Sequence, residues 1–419
     1  MDLSPVRGTR DFFPEDMRLR NWLFGHFHEV SRLFGFEEWD APVVESEELY
    51  TRKAGEEIVQ QLYTFSDKGG RPLALRAEMT PSLARMVLQR AASLPLPLRW
   101  YSIPQCWRYE RMTRGRRREH YQWNLDILGV PEVTAEAELL AALVTFFGRV
   151  GLSAADVGIK VSNRKILQAV LEGLGVPPDC FGPVCVLVDK LEKVPREVIE
   201  QDLANLGLQT TVIDQVVAVL SMSDVEEVAA VVGAEHHGVE ELRRLFALAA
   251  AYGYSDWLRF DASLVRGLAY YTGIVFEAFD RGASLRAICG GGRYDRLLST
   301  FGGKDVAACG FGFGDAVIVE LLSDRGLLPT LRPGVDDVVF AFSAELRPAA
   351  VQVASRLRAQ GRSVDLVLED RRAKWAFRHA DQRGARRVVL VAPDEWAAGQ
   401  VRLKDMASGE ERNAALADL

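Results

Sequence analysis

The sequence predicts an α+β protein in two unequal domains, a large α+β unit and a small α/β unit that part near Pro333. Three observations carry this. Residues Trp107 to Asp126 alternate like the two strands of a hairpin around a basic tip. Segments such as Glu15–Phe34 and Ala135–Val150 space their apolar residues as helices do. Beyond Pro333, strand and helix patterns take turns.

In chain order, Met17, Leu19, Trp22, Leu23, Phe27, Val30 and Phe34 give an amphipathic helix that Gly35 stops. Pro42–Glu45, Leu62–Phe65 and Leu73–Arg76 have the composition of short strands, with Gly69-Gly70 turning between the last two, and Pro42 marks an edge or an interface. Leu139, Leu140, Leu143, Val144 and Phe147 make a helix ended by Gly151. From about Val176 to Leu248, helix-like patterns broken by Gly, Pro and Asp predict a helical insertion. Strands return near Leu258–Phe260 and Val275–Glu277, and Pro329–Gly334 has the composition of a linker. The remainder reads strand Asp337–Phe342, helix Leu346–Ala359, strand Val364–Leu368, helix Ala373–Arg383, strand Val388–Val391, a series that builds a parallel or mixed sheet.

Composition narrows the class. A hydrophobic content of 48% over 419 residues is that of an ordinary globular protein with two or three cores. The net charge of −7 requires any nucleic-acid partner to be met by local basic patches. Five cysteines without a CxxC pair argue against a disulfide framework and a structural zinc site, and point to a reducing, cytoplasmic setting. No apolar stretch suits a membrane span or a secretory signal. The six histidines form no HxxxH or HExxH pattern, so no protein-bound metal is expected, and His236-His237 reads as solvated.

Four constellations could carry chemistry. In the hairpin, six arginines fall between Arg108 and Arg118. Alternate residues of a strand share a face, so Gln122 and Asp126 can line a cavity with Arg108 across from them, a pocket for a ligand with both phosphate and amine. An exposed arginine-rich turn explains the segment alone equally well. Leu264–Gly273 brings Arg266, Tyr270 and Tyr271 together with two glycines; Arg266 could stabilise phosphoryl charge, and a tyrosine-rich strand with structural glycines is the plainer alternative. Cys289–Asp295 and Gly310–Asp315 are glycine-rich without being Walker or GxGxxG loops; either a flat ligand or close packing accounts for them. Arg76–Thr80 sets Glu78 and Thr80 near a helix start at Pro81, where capping explains Thr80 and Glu78 could accept from a substrate ammonium.

Taken in order, these segments resemble the histidyl-tRNA synthetase family of class II aminoacyl-tRNA synthetases over nearly the whole chain. Arg7–Asp11 through Pro42 is similar to class motif 1, Arg108–Gly129 to motif 2 and Gly310–Leu322 to motif 3. Leu264–Gly273 and Cys289–Asp295 resemble the two histidine-specific signatures, and Gly399–Met406 with Gly409-Glu410 resembles the end of the anticodon-binding domain.

The resemblance implies an antiparallel catalytic sheet flanked by helices over residues 1–328, with a helical insertion at about 176–250. An α/β anticodon-binding domain would occupy 334–419, and the chain would be a homodimer joined through motif 1. It implies ATP with Mg2+, L-histidine and the tRNA for histidine as ligands. Arg108 and Arg266 would be catalytic, holding the α-phosphate and the histidine carboxylate. Arg116 would contact the γ-phosphate, and Glu110 the adenine or a metal-bound phosphate. Glu78, Thr80 and Gln122 would take the ammonium; Asp126 and Tyr271, with Tyr270, would surround the imidazole; the tip from Thr113 to Arg118 would lean toward the tRNA acceptor end. The family commonly has Glu at Asp126, Asp at Ala269, Gly at Met79 and Arg at Val317, and Arg293 is one arginine that could replace the last. The competing expectation is a non-catalytic histidine-binding paralogue, such as the regulatory subunit of ATP phosphoribosyltransferase.

Overall fold

The computed structural model describes residues 3–51, 59–188, 194–266 and 270–419. Gly267, Leu268 and Ala269 of the second constellation, and 189–193 of the expected insertion, lie outside the described residues. The chain forms two compact units, one of Met1–Asp11 with Arg20–Leu328, the other of Phe12–Leu19 with Pro329–Leu419.

The strands of the first unit are β1 (Glu37–Glu38), β2 (Val44–Ser46), β3 (Thr64–Ser66), β4 (Pro72–Leu75), β5 (Leu98–Ser102), β6 (Gln105–Trp107), β7 (Glu119–Leu128), β8 (Val157–Asn163), β9 (Leu258–Phe260), β10 (Ile274–Asp280), β11 (Cys289–Arg293) and β12 (Ala308–Gly314). The main sheet runs β1-β5-β7-β12-β11-β10-β8-β9, with β6 also on β7; β2-β4-β3 form a small second sheet. Pairing is antiparallel except at the two edges, where β1 lies parallel to β5 and β9 to β8. The expected antiparallel sheet is therefore mixed at its margins. β8 reaches β9 only through the helices between Arg164 and Trp257, the long connection a parallel pair needs.

Strand positions shift where the sequence signal was thin. The strand expected at Pro42–Glu45 starts at Val44, since Pro42 has no N–H to give a ladder. β1, two exposed glutamates, carries no apolar alternation by which the sequence could predict it. The helix expected at Glu15–Phe34 spans Pro14–Leu33, and that at Ala135–Val150 spans Thr134–Arg149. Both contribute to the core behind the sheet, where Phe27 stacks on Trp123 with ring centroids 4.8 Å apart and Phe146 meets Phe313 edge-on. The Trp123 indole N–H donates to Ser31 Oγ, so this buried aromatic has its polar atom satisfied.

Helices Phe181–Val188, Arg196–Asn205 and Thr210–Leu220 build an apolar cluster of their own. Val225–Val232 and His237–Tyr252 instead add Val228, Val239, Leu242 and Leu245 to the main core. His236 is not merely solvated: its Nδ1 accepts from Gly238 N–H and caps the second of these helices.

In the second unit β13 (Asp337–Ala341), β14 (Val364–Leu366), β15 (Arg387–Val391), β16 (Gln400–Asp405) and β17 (Glu411–Ala415) follow the order β14-β13-β15-β16-β17. The first three are parallel and the last two antiparallel, so the sheet is mixed. Helices Arg347–Ala359 and Ala373–Gln382 supply the crossovers. Asp337, fully buried, is paired with Arg362 and Arg387.

Candidate active site

The polar face of β7 opens into a cavity of about 950 Å³. Strand alternation sends Trp123, Leu125 and Ile127 into the core and leaves Gln122, Asn124 and Asp126 facing the cavity. On β12 the same period puts Phe311 and Phe313 in the core and Gly310, Gly312 and Gly314 along the cavity. Asp126 is in register with Gly310, which pairs with Gly292; Asn124 is in register with Gly312, which pairs with Gly290. The floor between β7 and β10 is thus bare of side chains. A Cβ at Gly310 would run into the Asp126 carboxylate and lie 2.6 Å from the Tyr294 hydroxyl, and one at Gly290 would strike the Arg266 guanidinium. These glycines hold space that reactive side chains use.

All ten residues expected at the site, Glu78, Thr80, Arg108, Glu110, Arg116, Gln122, Asp126, Arg266, Tyr270 and Tyr271, line this one cavity. At its inner end the Tyr294 hydroxyl donates to Asp126. Burial pushes the Asp126 carboxyl up to about 7, against the pull of that hydrogen bond. The Tyr270 hydroxyl donates to Glu78 Oε2 at 3.2 Å, while Glu78 Oε1 is buried with no partner among the described residues. Burial raises the Glu78 carboxyl too, opposed by the charge of Arg108. An unpartnered carboxylate oxygen inside a cavity is costly to keep and suits a donor-rich ligand. Thr80 is not a cap. Met79 holds the N-cap position without a side-chain bond, and Thr80 turns toward the Tyr270 hydroxyl.

Arg266 is held at φ 54°, in the left-handed region that costs a non-glycine residue roughly 1–3 kcal/mol. Its guanidinium hydrogen-bonds Glu277 of β10. Arg108 donates from Nε to the Ala77 carbonyl at 2.9 Å.

At the outer end Arg116 and Glu110 are hydrogen-bonded to each other. The hairpin tip closes through a Thr113–Arg116 bridge around Gly115 and rests on helix Asp315–Asp324, where Arg114 pairs with Glu320 at 3.0 Å and Asp324 at 2.6 Å. The foot of the hairpin is tied by Arg10, which joins Glu119 and Asp315. Val317 packs under Gly115.

Arg293 does not serve as a replacement. It is 3% exposed and donates twice to Glu136, each bond 2.6 Å, on the face of β11 away from the cavity. Tyr294, Glu277, His120 and Arg286 also line the cavity, although the sequence assigns none of them a role there. Burial, with the charge of Arg108 beside it, pushes His120 down to about 3, so it is neutral. Among the described residues no group of His, Cys, Asp and Glu is arranged to hold a metal, and no helix is long and apolar enough to cross a membrane.

The family model described as Histidyl-tRNA synthetase matches residues 8–315, and that of an Anticodon binding domain matches 336–419. The chain is 58% identical to a chloroplastic/mitochondrial histidine–tRNA ligase of Arabidopsis thaliana, over 100% of this chain and 86% of the relative. It is 39% identical to the histidine–tRNA ligase of Opitutus terrae, over 96% and 94% of the two chains. The crystal structure of histidyl-tRNA synthetase from Nostoc sp. PCC 7120 superposes with a TM-score of 0.80 at 25% identity, covering 99% of this chain and 97% of that one.

Proposed function

We infer how the cavity works from the premise that the chain belongs to the histidyl-tRNA synthetase family. The activity is ATP-dependent ligation of L-histidine to its tRNA through a histidyl-adenylate. The identity along the whole chain sets aside a non-catalytic regulatory paralogue. A histidine carboxylate oxygen bonds to the α-phosphorus of ATP while the bond to the β-phosphate oxygen breaks and pyrophosphate leaves with the electron pair. The terminal ribose hydroxyl of the tRNA then displaces AMP from the carbonyl carbon.

The observation that carries the assignment of roles is the division of one cavity into a carboxylate end and an arginine end. Glu78, with its unpartnered oxygen, takes the ammonium together with Thr80 and Gln122. Asp126, oriented by Tyr294, and Tyr271, beside Tyr270, take the imidazole nitrogens. A site that bonds both nitrogens leaves buried polar groups unpaired when another amino acid enters, and discriminates on that ground. Asp126 is one methylene shorter than the usual Glu, and the Tyr294 hydroxyl fixes where its carboxylate stands.

Arg108 and Arg266 neutralise the charge that builds between the carboxylate and the α-phosphate. Arg116 and Glu110 exchange their mutual bond for the nucleotide, Arg116 at the γ-phosphate and Glu110 at the adenine or a metal-bound phosphate. Magnesium would arrive on ATP as part of the substrate, and Glu110 is the residue that could hold a metal-bound phosphate. Residues 1–328 carry the catalysis, with the helical segment at about 176–250 inserted, and 334–419 read the anticodon.

A homodimer is part of this reading, supported by the exposed apolar Val43, Val44 and Phe65 around β2 and β3. Light scattering of the purified chain decides it. The cytoplasm is the proposed location on the strength of five free cysteines; the organellar name of the Arabidopsis relative makes fractionation the deciding measurement. The activity itself is tested by histidine-dependent ATP–pyrophosphate exchange and by charging of the histidine tRNA. Absence of both with magnesium present overturns it.

A further inference from the structure

The cations of the cavity are not alike. Arg116 is bound to Glu110, Arg266 to Glu277, Lys160 and Arg259 to Asp261, Arg281 to the Asp256 carbonyl and Arg108 to the Ala77 carbonyl. Arg286 makes no hydrogen bond and no ion pair among the described residues, although it lines the same cavity. Partial burial and then the charges of Arg116 and Arg108 depress its affinity for a proton, against the opposing pull of Glu110 and Glu277, which already hold Arg116 and Arg266. Three guanidinium groups thus converge with fewer carboxylates than charges, an arrangement that favours a polyanion between them.

The backbone that presents Arg286 is fixed at both sides. It lies in the connection from β10 to β11, where the buried Asp280 carboxylate accepts from Gly282 N–H, Ser284 N–H and Ser284 Oγ and also binds Arg325 at 2.9 Å. On the far side Ile288 N–H donates to the Ala278 carbonyl at 2.8 Å. A cation so anchored, and left without a partner, is held ready for a ligand at little reorganisation cost. Arg117 is likewise unpaired among the described residues, but it lies exposed at the hairpin tip, away from such an anchor.

Resting on the nucleotide reading of this cavity, we propose that Arg286 binds the β- and γ-phosphates of ATP and stabilises pyrophosphate as it leaves. It completes with Arg108 and Arg116 a three-arginine cradle in a chain whose helix Asp315–Asp324 offers Val317 there. As the bond from the α-phosphorus to the bridging oxygen breaks, the electron pair and negative charge pass to pyrophosphate, and Arg286 meets that charge.

The test compares wild type with Arg286→Ala and Arg286→Lys. In exchange assays the Ala variant should raise the KM for ATP and for pyrophosphate about ten- to a hundredfold, the span of one charge-assisted contact, with Lys in between. The KM for histidine should stay within about twofold, since Arg286 is charged neither with the ammonium nor with the imidazole. Calorimetric binding of inorganic pyrophosphate to the free protein should weaken by the same factor. That measurement needs no turnover, so it decides the phosphate contact even if wild type fails to exchange, a failure that would count against the activity instead. The melting temperature of free Arg286→Ala should equal or exceed that of wild type, because an unpaired cation among arginines is removed. Unchanged pyrophosphate binding overturns the proposal, and so does a parallel loss of histidine affinity with a lowered melting temperature, which marks a structural residue.

Discussion

The two ends of the cavity solve opposite problems. At the inner end Asp126 and Glu78 are 6% and 4% exposed, and burial lifts both carboxyls toward neutrality. At the outer end charge is kept, with Arg116 parked on Glu110 and Arg286 on no carboxylate among the described residues. The inner end recognises by desolvation, where a wrong ligand leaves a polar atom unpaired; the outer end recognises by an excess of positive charge that a polyphosphate can satisfy. Arg266, bonded to Glu277 and packed above Gly290, stands between them, where the reacting carboxylate and phosphate would meet.

Removing that junction should have the largest effect. Arg266→Ala is expected to lower kcat for exchange by 10²–10³, about 2.7–4 kcal/mol if the loss resembles that of an oxyanion donor, with a smaller change in either KM. Equal loss in KM and none in kcat would place Arg266 in ground-state binding and blur the contrast between the ends.

The inner end is broken next by Tyr294→Phe. The hydroxyl lowers the Asp126 pKa, so without it the carboxyl rises further above about 7 and is neutral over more of the working range. Histidine affinity should fall on the order of 10–100-fold, the worth of a hydrogen bond to a charged group of about 1.5–3 kcal/mol, and its pH profile should move to higher pH. Calorimetry at several pH values checks both. ATP affinity should stay as in wild type if the two ends are independent.

How far these roles were legible depends on the range of the signal. The polar face of β7 is readable from the sequence because a period of two is local, and that period alone puts Gln122 and Asp126 on one wall. The same rule, applied to Cys289–Tyr294, separates Gly290, Gly292 and Tyr294 on the cavity face from Gly291 and Arg293 on the core face. The charge of Arg293 alone suggests a phosphate ligand, but its parity puts it on the core face, and its partner Glu136 lies 157 residues away. Tyr294 finds Asp126 across 168 residues. Arg286 sits in an irregular connection with no periodicity, where only the absence of a partner in space marks it out. The long helices were placed to within a residue or two, while β1 and the start of β2 were not, since two- and three-residue edge strands carry too few positions for a pattern.

Asp126→Asn sharpens the comparison through stability. The folded protein keeps Asp126 protonated up to about pH 7, whereas the unfolded chain releases that proton near the ordinary carboxyl value of about 3.9. Between those values the folded state binds more protons, so stability contributed by this group falls as pH rises, by up to about 1.4 kcal/mol per pH unit. The Asn variant lacks this slope and should gain on wild type from acid to neutral pH, although it binds histidine less well. Denaturant titrations at pH 5, 6 and 7 would show the two curves diverging; parallel curves would mean that Asp126 is ionised throughout.

The smallest effect belongs to the hairpin tip. Arg114 is 49% exposed in its pairs with Glu320 and Asp324, and exposed ion pairs contribute little net stability. Arg114→Ala should therefore lower the melting temperature only slightly, and the difference should vanish in about 1 M salt, where charges are screened beyond roughly 3 Å. Its effect on charging separates two uses of the same side chain. If Arg114 leaves its carboxylates to meet the acceptor end of the tRNA, the KM for tRNA rises in the variant while exchange, which needs no tRNA, keeps its wild-type rate. If the pairs with helix Asp315–Asp324 instead hold the tip over Val317 to shape the nucleotide end, exchange falls and the KM for ATP rises, and the tip belongs with Arg116 and Arg286 rather than with the tRNA.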